Sequence, residues 1–296
     1  MTRKTDNILY IENVYKEYGG RVVLDDIDFC ISEGEFCTVV GPSGCGKSTL
    51  LRLILGQELP TSGVIHFNGA PIGFPDTRRG VVYQRYSLYP HISVIENVML
   101  GKKLELGLLK SGRKLRAIRD EALEFLQRMG LEEHQDKYPH ELSGGMQQRV
   151  AIAQALIMRP KILLMDEPFG ALDPGMREAM QVFILEIWER SDMTILFVTH
   201  DLEEAVYLGT RIVVLSQYYT DGRGADVQRG AKIVADYELK YRAATTKAKE
   251  TANFGMLVGK VRREGFDPKQ RTHVTDFNLQ HPDSFQSLTD IERQKV

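Results

Sequence analysis

Nine consecutive residues, Gly41-Pro42-Ser43-Gly44-Cys45-Gly46-Lys47-Ser48-Thr49, constrain this chain more than any other stretch. They follow the apolar run 36–40 and precede the apolar run 50–55, so the pattern GxxxxGK[ST] stands between a strand and a helix. Glycines let such a loop curl until consecutive N–H groups face phosphate oxygens, and the N-terminus of the following helix adds its positive end. In that cradle Lys47 reaches the β- and γ-phosphates of a nucleotide, Ser48 offers its hydroxyl to Mg²⁺, and Gly56 closes the helix. Cys45 reads as a small tolerated loop residue, with a lowered thiol pKa at the helix N-terminus as the alternative.

The surrounding pattern is that of an α/β protein. Short apolar, β-branched runs at 36–40, 80–83, 162–165, 194–199 and 211–215 alternate with helical spacings, which predicts a largely parallel sheet. Leu115, Ile118, Ala122, Phe125, Leu126 and Met129 recur every three or four residues, predicting an amphipathic helix over 114–130 with Gly130 as its stop. After Leu215 the turn signal Asp221-Gly222-Arg223-Gly224 and a loss of periodicity place a boundary near residue 220. The expected division is a domain over 1–220, with a helical subdomain at about 86–160, and an extension over 221–296. Within the extension, residues 240–271 carry nine Lys/Arg against three Asp/Glu, an excess of +6. That run reads either as a solvated tail or as a regulatory or docking element.

Two further strand ends carry acids and an imidazole. Residues 161–165 lead into Asp166-Glu167, and the carboxyl edge of a parallel sheet is where ligands bind. Beside a phosphate loop this places Asp166 in the magnesium shell and makes Glu167 the candidate general base. Residues 194–199 lead into His200-Asp201, where the imidazole is a second catalytic candidate; the bland alternative is a surface histidine before a helix capped by Asp201. Gln84, after 80–83, is placed to contact Mg²⁺ or the attacking water, although a glutamine in a loop says little by itself.

At Leu142-Ser143-Gly144-Gly145-Met146-Gln147-Gln148-Arg149 a small polar turn opens a helix that Pro160 stops. This is either a plain helix cap or a second anion-seeking terminus. In the latter case it serves the γ-phosphate of a nucleotide held by another copy, because the first loop already supplies its own donors. Together these residues resemble the ATP-binding cassette subunits of ABC transporters over residues 8–215. The resemblance adds Tyr18 as the aromatic that stacks on adenine, Gln84 as the Q-loop glutamine, Ala171-Leu172-Asp173 as the D-loop and His200 as the switch histidine, all in the family's order. It implies a RecA-like parallel-sheet core, an N-terminal antiparallel β portion and an α-helical subdomain. It also implies ATP and Mg²⁺ as ligands, with Ser143, Gly144, Gly145 and Asp173 completing the site across a pair of cassettes.

The run from Asp166 to Asp173 is most similar to importer cassettes of the nitrate, sulfonate and taurine group. Members of that group end in a short apolar helix, which Phe285, Leu288 and Ile291 echo, whereas residues 227–271 have no counterpart there. The implied function is an energy-coupling ATPase at the cytoplasmic face of the inner membrane, paired with a second cassette and transmembrane permease subunits, and indirectly with a solute-binding protein. An exporter or lipid-transport cassette, and a nucleotide-switched interaction module outside transport, are the alternatives.

Composition narrows the field without naming the function. With 38 basic and 40 acidic residues the net charge is −2, so bulk charge demands neither nucleic acid nor an anionic membrane, and no nucleic-acid partner is expected. Three cysteines, Cys30, Cys37 and Cys45, lie in or beside apolar runs rather than in a spaced framework, as in a reducing compartment. MTRKTDNILY lacks the apolar core of a secretory signal, and no run approaches the roughly 18 apolar residues of a spanning helix, so the chain is not expected to cross a membrane by itself.

Overall fold

The computed structural model describes residues 7–85, 87–107, 112–224, 227, 229–239 and 252–294. In chain order the first half contains β1 (Asn7–Tyr18), β2 (Arg21–Ser32), β3 (Phe36–Val40), α1 (Lys47–Leu55), β4 (Ser62–Phe67), β5 (Ala70–Pro71), β6 (Arg79–Val82), α2 (Val94–Glu105), α3 (Gly112–Arg128) and α4 (Gly144–Leu156). There follow β7 (Ile162–Asp166), α5 (Pro174–Glu189), β8 (Thr194–Thr199), α6 (Leu202–Leu208), β9 (Arg211–Ser216), β10 (Tyr219–Thr220), β11 (Lys232–Glu238), α7 (Ala252–Phe266), β12 (Thr272–His273) and β13 (Asn278–Leu279). They group into two compact units, one from Met1–Pro75 with Thr194–Val296 and the other from Asp76–Met193.

In the first unit β8, β3 and β9 run parallel side by side, β11 joins β9 antiparallel, and β13 lies parallel outside β11. The sequences FCTVV and TILFVT are buried along their whole length, as parallel strands covered on both faces require. A second sheet, in the order β2-β1-β4-β5, is antiparallel. Its β1–β2 pairing is interrupted where Asn13 and Asp26 take left-handed backbones (φ 51° and 56°), and the Asn13 amide donates to the Asp26 carboxylate at 3.0 Å.

The second unit pairs β6 with β7 in parallel and contributes helices α2–α5. The amphipathic spacing expected over 114–130 is realised as α3, which buries Ile118, Ala122 and Leu126, and Gly130 follows with φ 63°.

The boundary expected near residue 220 does not separate compact units. β11 hydrogen-bonds along β9, and α7 packs Phe254, Leu257, Val258 and Val261 onto a core that includes Val40, Val206 and Val214. The extension is therefore part of the first unit, and residues 240–251 of its basic stretch lie outside the described residues. Nor do Phe285, Leu288 and Ile291 form a terminal helix. Phe285 instead stacks on Tyr10 with ring centroids 5.4 Å apart, Leu288 packs on the same core, and Ile291 is exposed.

Candidate active site

In the first unit the phosphate loop leaves the end of β3 and enters α1 through Gly46, whose φ of 107° no side-chain-bearing residue readily adopts. Gly44 is also left-handed (φ 76°). A Cβ on Gly41 would stand 2.1 Å from the Leu215 carbonyl oxygen, so only glycine lets the loop pass β9. Lys47 is buried, and its ammonium donates to the carbonyls of Gly41 at 2.7 Å and Pro42 at 3.0 Å, which holds the cation inside the curl. Pro42, Ser43, Gly44 and Ser48 stay partly or fully accessible along the rim, while Thr49 is turned into the protein. Gly56 ends the helix as expected, with φ 76° and its N–H on the Arg52 and Leu53 carbonyls. Cys45 is buried and burial pushes its thiol upward, which removes the reactive-thiolate alternative.

The parallel register of β3 and β8 sets Val40 opposite Thr199, so Gly41 and His200 leave neighbouring strand ends at the same level. His200 is exposed. Asp201 is the N-cap of α6, accepting from the N–H groups of Glu203 at 3.0 Å and Glu204 at 3.1 Å. Tyr18 ends β1 with 42% of its surface exposed. Its hydroxyl donates to Glu58, which also pairs with Lys16 at 3.1 Å and Arg52 at 3.6 Å, and the Lys16 ammonium lies 4.8 Å from the Tyr18 ring centre. Burial and the Glu58 carboxylate together raise the Tyr18 phenol, keeping it a neutral donor.

The second unit repeats the logic of matched strand ends. Val82 of β6 is opposite Met165 of β7, so Gln84 and Glu167 emerge two residues beyond at the same level, and the Gln84 amide donates to the Glu167 carboxylate at 3.1 Å. Glu167 has a left-handed backbone (φ 47°), an uncommon conformation for glutamate that turns the chain sharply after β7. Asp166 is the last residue of that strand.

Ser143 caps α4, its hydroxyl accepting from the Met146 N–H at 3.3 Å, and Asp173 caps α5 by accepting from the Met176 N–H at 3.0 Å. A Cβ on Gly145 would meet the Ala171 carbonyl oxygen at 3.2 Å, so the LSGG turn and the Ala171-Leu172-Asp173 turn are packed together.

Sequence reasoning missed Gln148 and Arg149. Gln148 is 1% exposed and donates to the Tyr83 carbonyl at 3.2 Å, tying α4 to the residue that precedes Gln84. Arg149 donates to the Met129 carbonyl at the end of α3. The glutamine pair Gln147-Gln148 in an otherwise helical run was the available signal.

The site residues thus form groups within each unit: the phosphate loop with His200 and Tyr18 in the first, and Gln84 with Asp166 and Glu167, and the LSGG turn with Asp173, in the second. The curled glycine loop with a buried ammonium fits a polyphosphate. In the second unit Asp166 and Gln84 carry side-chain oxygens of the kind a hard cation takes, and in the first Ser48 carries a hydroxyl.

Comparison with known proteins gives a consistent result. The family model described as ABC transporter matches residues 24–170. The nitrate import ATP-binding protein NrtD of Synechocystis sp. is 48% identical over 198 residues, which is 67% of this chain and 72% of that protein. The taurine import ATP-binding protein TauB of Yersinia pestis is 43% identical over 222 residues, 75% of this chain and 83% of its own. Among solved structures, the dimeric post-hydrolysis state of the ATP-binding cassette MJ0796 bound to ADP and Pi is similar with a TM-score of 0.67 at 31% identity. It covers 79% of this chain and 99% of that one.

Proposed function

Since the chain belongs to the ABC transporter ATP-binding family and is an ABC-type ATPase coupled to transport, we propose that it is the energy-coupling subunit of an importer for a small solute such as nitrate, a sulfonate or taurine. The observation that carries the catalytic part is the Gln84–Glu167 hydrogen bond at matched strand ends. It supports reading Glu167 as the carboxylate base and Gln84 as a water- or metal-binding amide, with Asp166 next to Glu167 in the chain.

In this reading the backbone N–H groups of the loop 41–49, all but that of Pro42, which has none, and the Lys47 ammonium bind the phosphates of ATP, and Tyr18 stacks on adenine. Glu167 takes the proton of the attacking water, and His200 contacts the γ-phosphate. Ser48, Asp166 and Gln84 would hold Mg²⁺, which supplies charge neutralisation on the phosphate oxygens when bound. Ser143, Gly144, Gly145 and Asp173, on adjoining helix caps, face the ATP of a second cassette, so that two chains close over two nucleotides. Closure and reopening are passed to separate membrane permease subunits, with a solute-binding protein acting through them, at the cytoplasmic face of the membrane. Among the described residues no helix is long and apolar enough to cross a membrane.

The test is affinity purification of the chain from its native membrane, followed by reconstitution of what co-purifies into liposomes. ATP-dependent uptake of an oxyanion or sulfonate supports the reading. Outward transport, or co-purification with nucleic acid in place of a permease, overturns it.

A further inference from the structure

The segment after β9 buries charges against β2. The Lys232 ammonium, 1% exposed, lies 2.9 Å from Asp26 and 3.0 Å from Glu292. Arg223 lies 2.7 Å from Asp25 and 2.6 Å from Asp221, and Arg229 lies 2.8 Å from Asp221. The Tyr219 hydroxyl donates to the Asp25 carboxylate at 2.7 Å and lies 3.2 Å from the Gly230 carbonyl oxygen. Buried ion pairs give little net stability relative to apolar packing, but they demand one alignment of the segments that carry them. Here the alignment is visible in the backbone: the Asp25 N–H donates to the Ala231 carbonyl and the Ala231 N–H to the Val23 carbonyl, both at 2.9 Å.

On their other side the same β2 residues touch the phosphate loop. A Cβ on Gly46 would stand 2.8 Å from Leu24 Cδ2 and 3.1 Å from Val23 Cγ1. From the extension Gly230 approaches equally closely, since a Cβ there would stand 2.8 Å from Val22 Cγ1 and 3.0 Å from the Val23 carbonyl carbon. Residues 22–24 are therefore a wedge between two glycines, one in the loop and one in the extension.

We propose that the extension positions the phosphate loop for ATP: Gly230 and Ala231, aligned by Tyr219, Arg223 and Lys232, press Val23 and Leu24 against Gly46 and so fix the curvature of the loop. The inference rests on ATP binding to that loop. A charge-assisted N–H···O bond weakens steeply when its donor shifts or tilts, so affinity for nucleotide depends on a segment far away in sequence. A tail that merely stabilises the fold has no such effect on affinity.

The test uses the full chain with Gly230→Ala, which adds one methyl to the crowded approach, and Tyr219→Phe, which removes one hydroxyl without changing shape. Binding of a fluorescent ATP analogue with Mg²⁺, steady-state phosphate release, and melting temperature with and without ATP are measured, with Lys47→Ala as control. Expected are Kd and KM raised about fivefold, the size of one weakened charge-assisted hydrogen bond, with kcat within about twofold of the parent. The rise in melting temperature on adding ATP shrinks in parallel. Melting temperatures lowered equally with and without ATP, at unchanged Kd, overturn the proposal. If Lys47→Ala loses ATP while both variants bind normally, the positioning role alone fails; if Lys47→Ala binds normally, the phosphate-loop reading fails. Should one variant not fold, the other decides.

Discussion

Replacing Glu167 by glutamine separates binding from chemistry at this site. The side chain keeps its length, and the left-handed backbone at φ 47° treats two unbranched residues alike, so the turn after β7 is preserved. The hydrogen bond from Gln84 at 3.1 Å survives with an amide oxygen as acceptor. It loses only charge assistance, a change of about 1 kcal/mol at most in this accessible position, which limits any change in ATP affinity to about fivefold. Hydrolysis loses its general base, which costs about 10²- to 10⁴-fold in kcat, or about 3–5 kcal/mol on the barrier. The expected phenotype is a chain that binds ATP and persists as an ATP-dependent dimer, read by phosphate release and by size-exclusion chromatography with light scattering. Adding Ser143→Arg in this background places a long cation at the cap of α4, where the proposed opposite γ-phosphate sits, and abolishes that dimer. The lost cap itself costs about 1 kcal/mol, so a melting curve accompanies the measurement. A Glu167→Gln chain that hydrolyses ATP within about threefold of the parent refutes the assignment of the base. A dimer unaffected by Ser143→Arg refutes the shared site.

Lys47→Ala removes the ammonium held by the Gly41 and Pro42 carbonyls and should weaken ATP binding by about tenfold or more, checked by nucleotide titration. Deleting residues 221–296 strips β9 of β11 and takes from Arg211 its Asp236 partner at 2.6 Å, leaving it only Glu35 at 3.5 Å and the Cys30 carbonyl at 2.8 Å; a loss of about 3–5 kcal/mol follows, seen as a lost or broadened cooperative melt in circular dichroism. An undiminished melt would mean that the extension folds onto the unit without supporting it. Burial opposes ionisation of Asp221, yet hydrogen bonds from Arg229 and Arg223 win and hold its carboxyl at about 2. Its folded pKa is below the unfolded one, so the stabilisation is present above about pH 5 and is lost as pH falls through 4 toward 2. After allowance for solvent screening it amounts to about 1 kcal/mol. Urea melts of the parent and Asp221→Asn should therefore differ most at pH 7 and converge only below about pH 2.

Local chemistry alone marked much of this protein. The phosphate loop, the strand before Asp166, the strand before His200 and the helix opened by Ser143 each carry their own signal in consecutive residues: a glycine pattern, a β-branched run, a cap. Those signals need no distant partner, so they were legible without a structure. What tertiary structure decided is what distant partners conceal. β11 did not read as a buried strand because it contains Lys232 and Asp236, which are buried only because Asp26 and Glu292 pair with the first and Arg211 with the second. α7 carries apolar residues at helical spacing, but Gly255, Gly259 and Gly265 each cost about 1 kcal/mol in a helix and blur the pattern. At Gly265 the cost has a reason visible only in three dimensions: a Cβ there would stand 2.2 Å from Val214 Cγ1, and the Gly265 carbonyl accepts from Ser216 at 2.7 Å. The boundary expected near residue 220 failed for the same reason. A turn and a loss of pattern do not end a folding unit when ion pairs and close-packed glycines carry the chain back onto its own sheet.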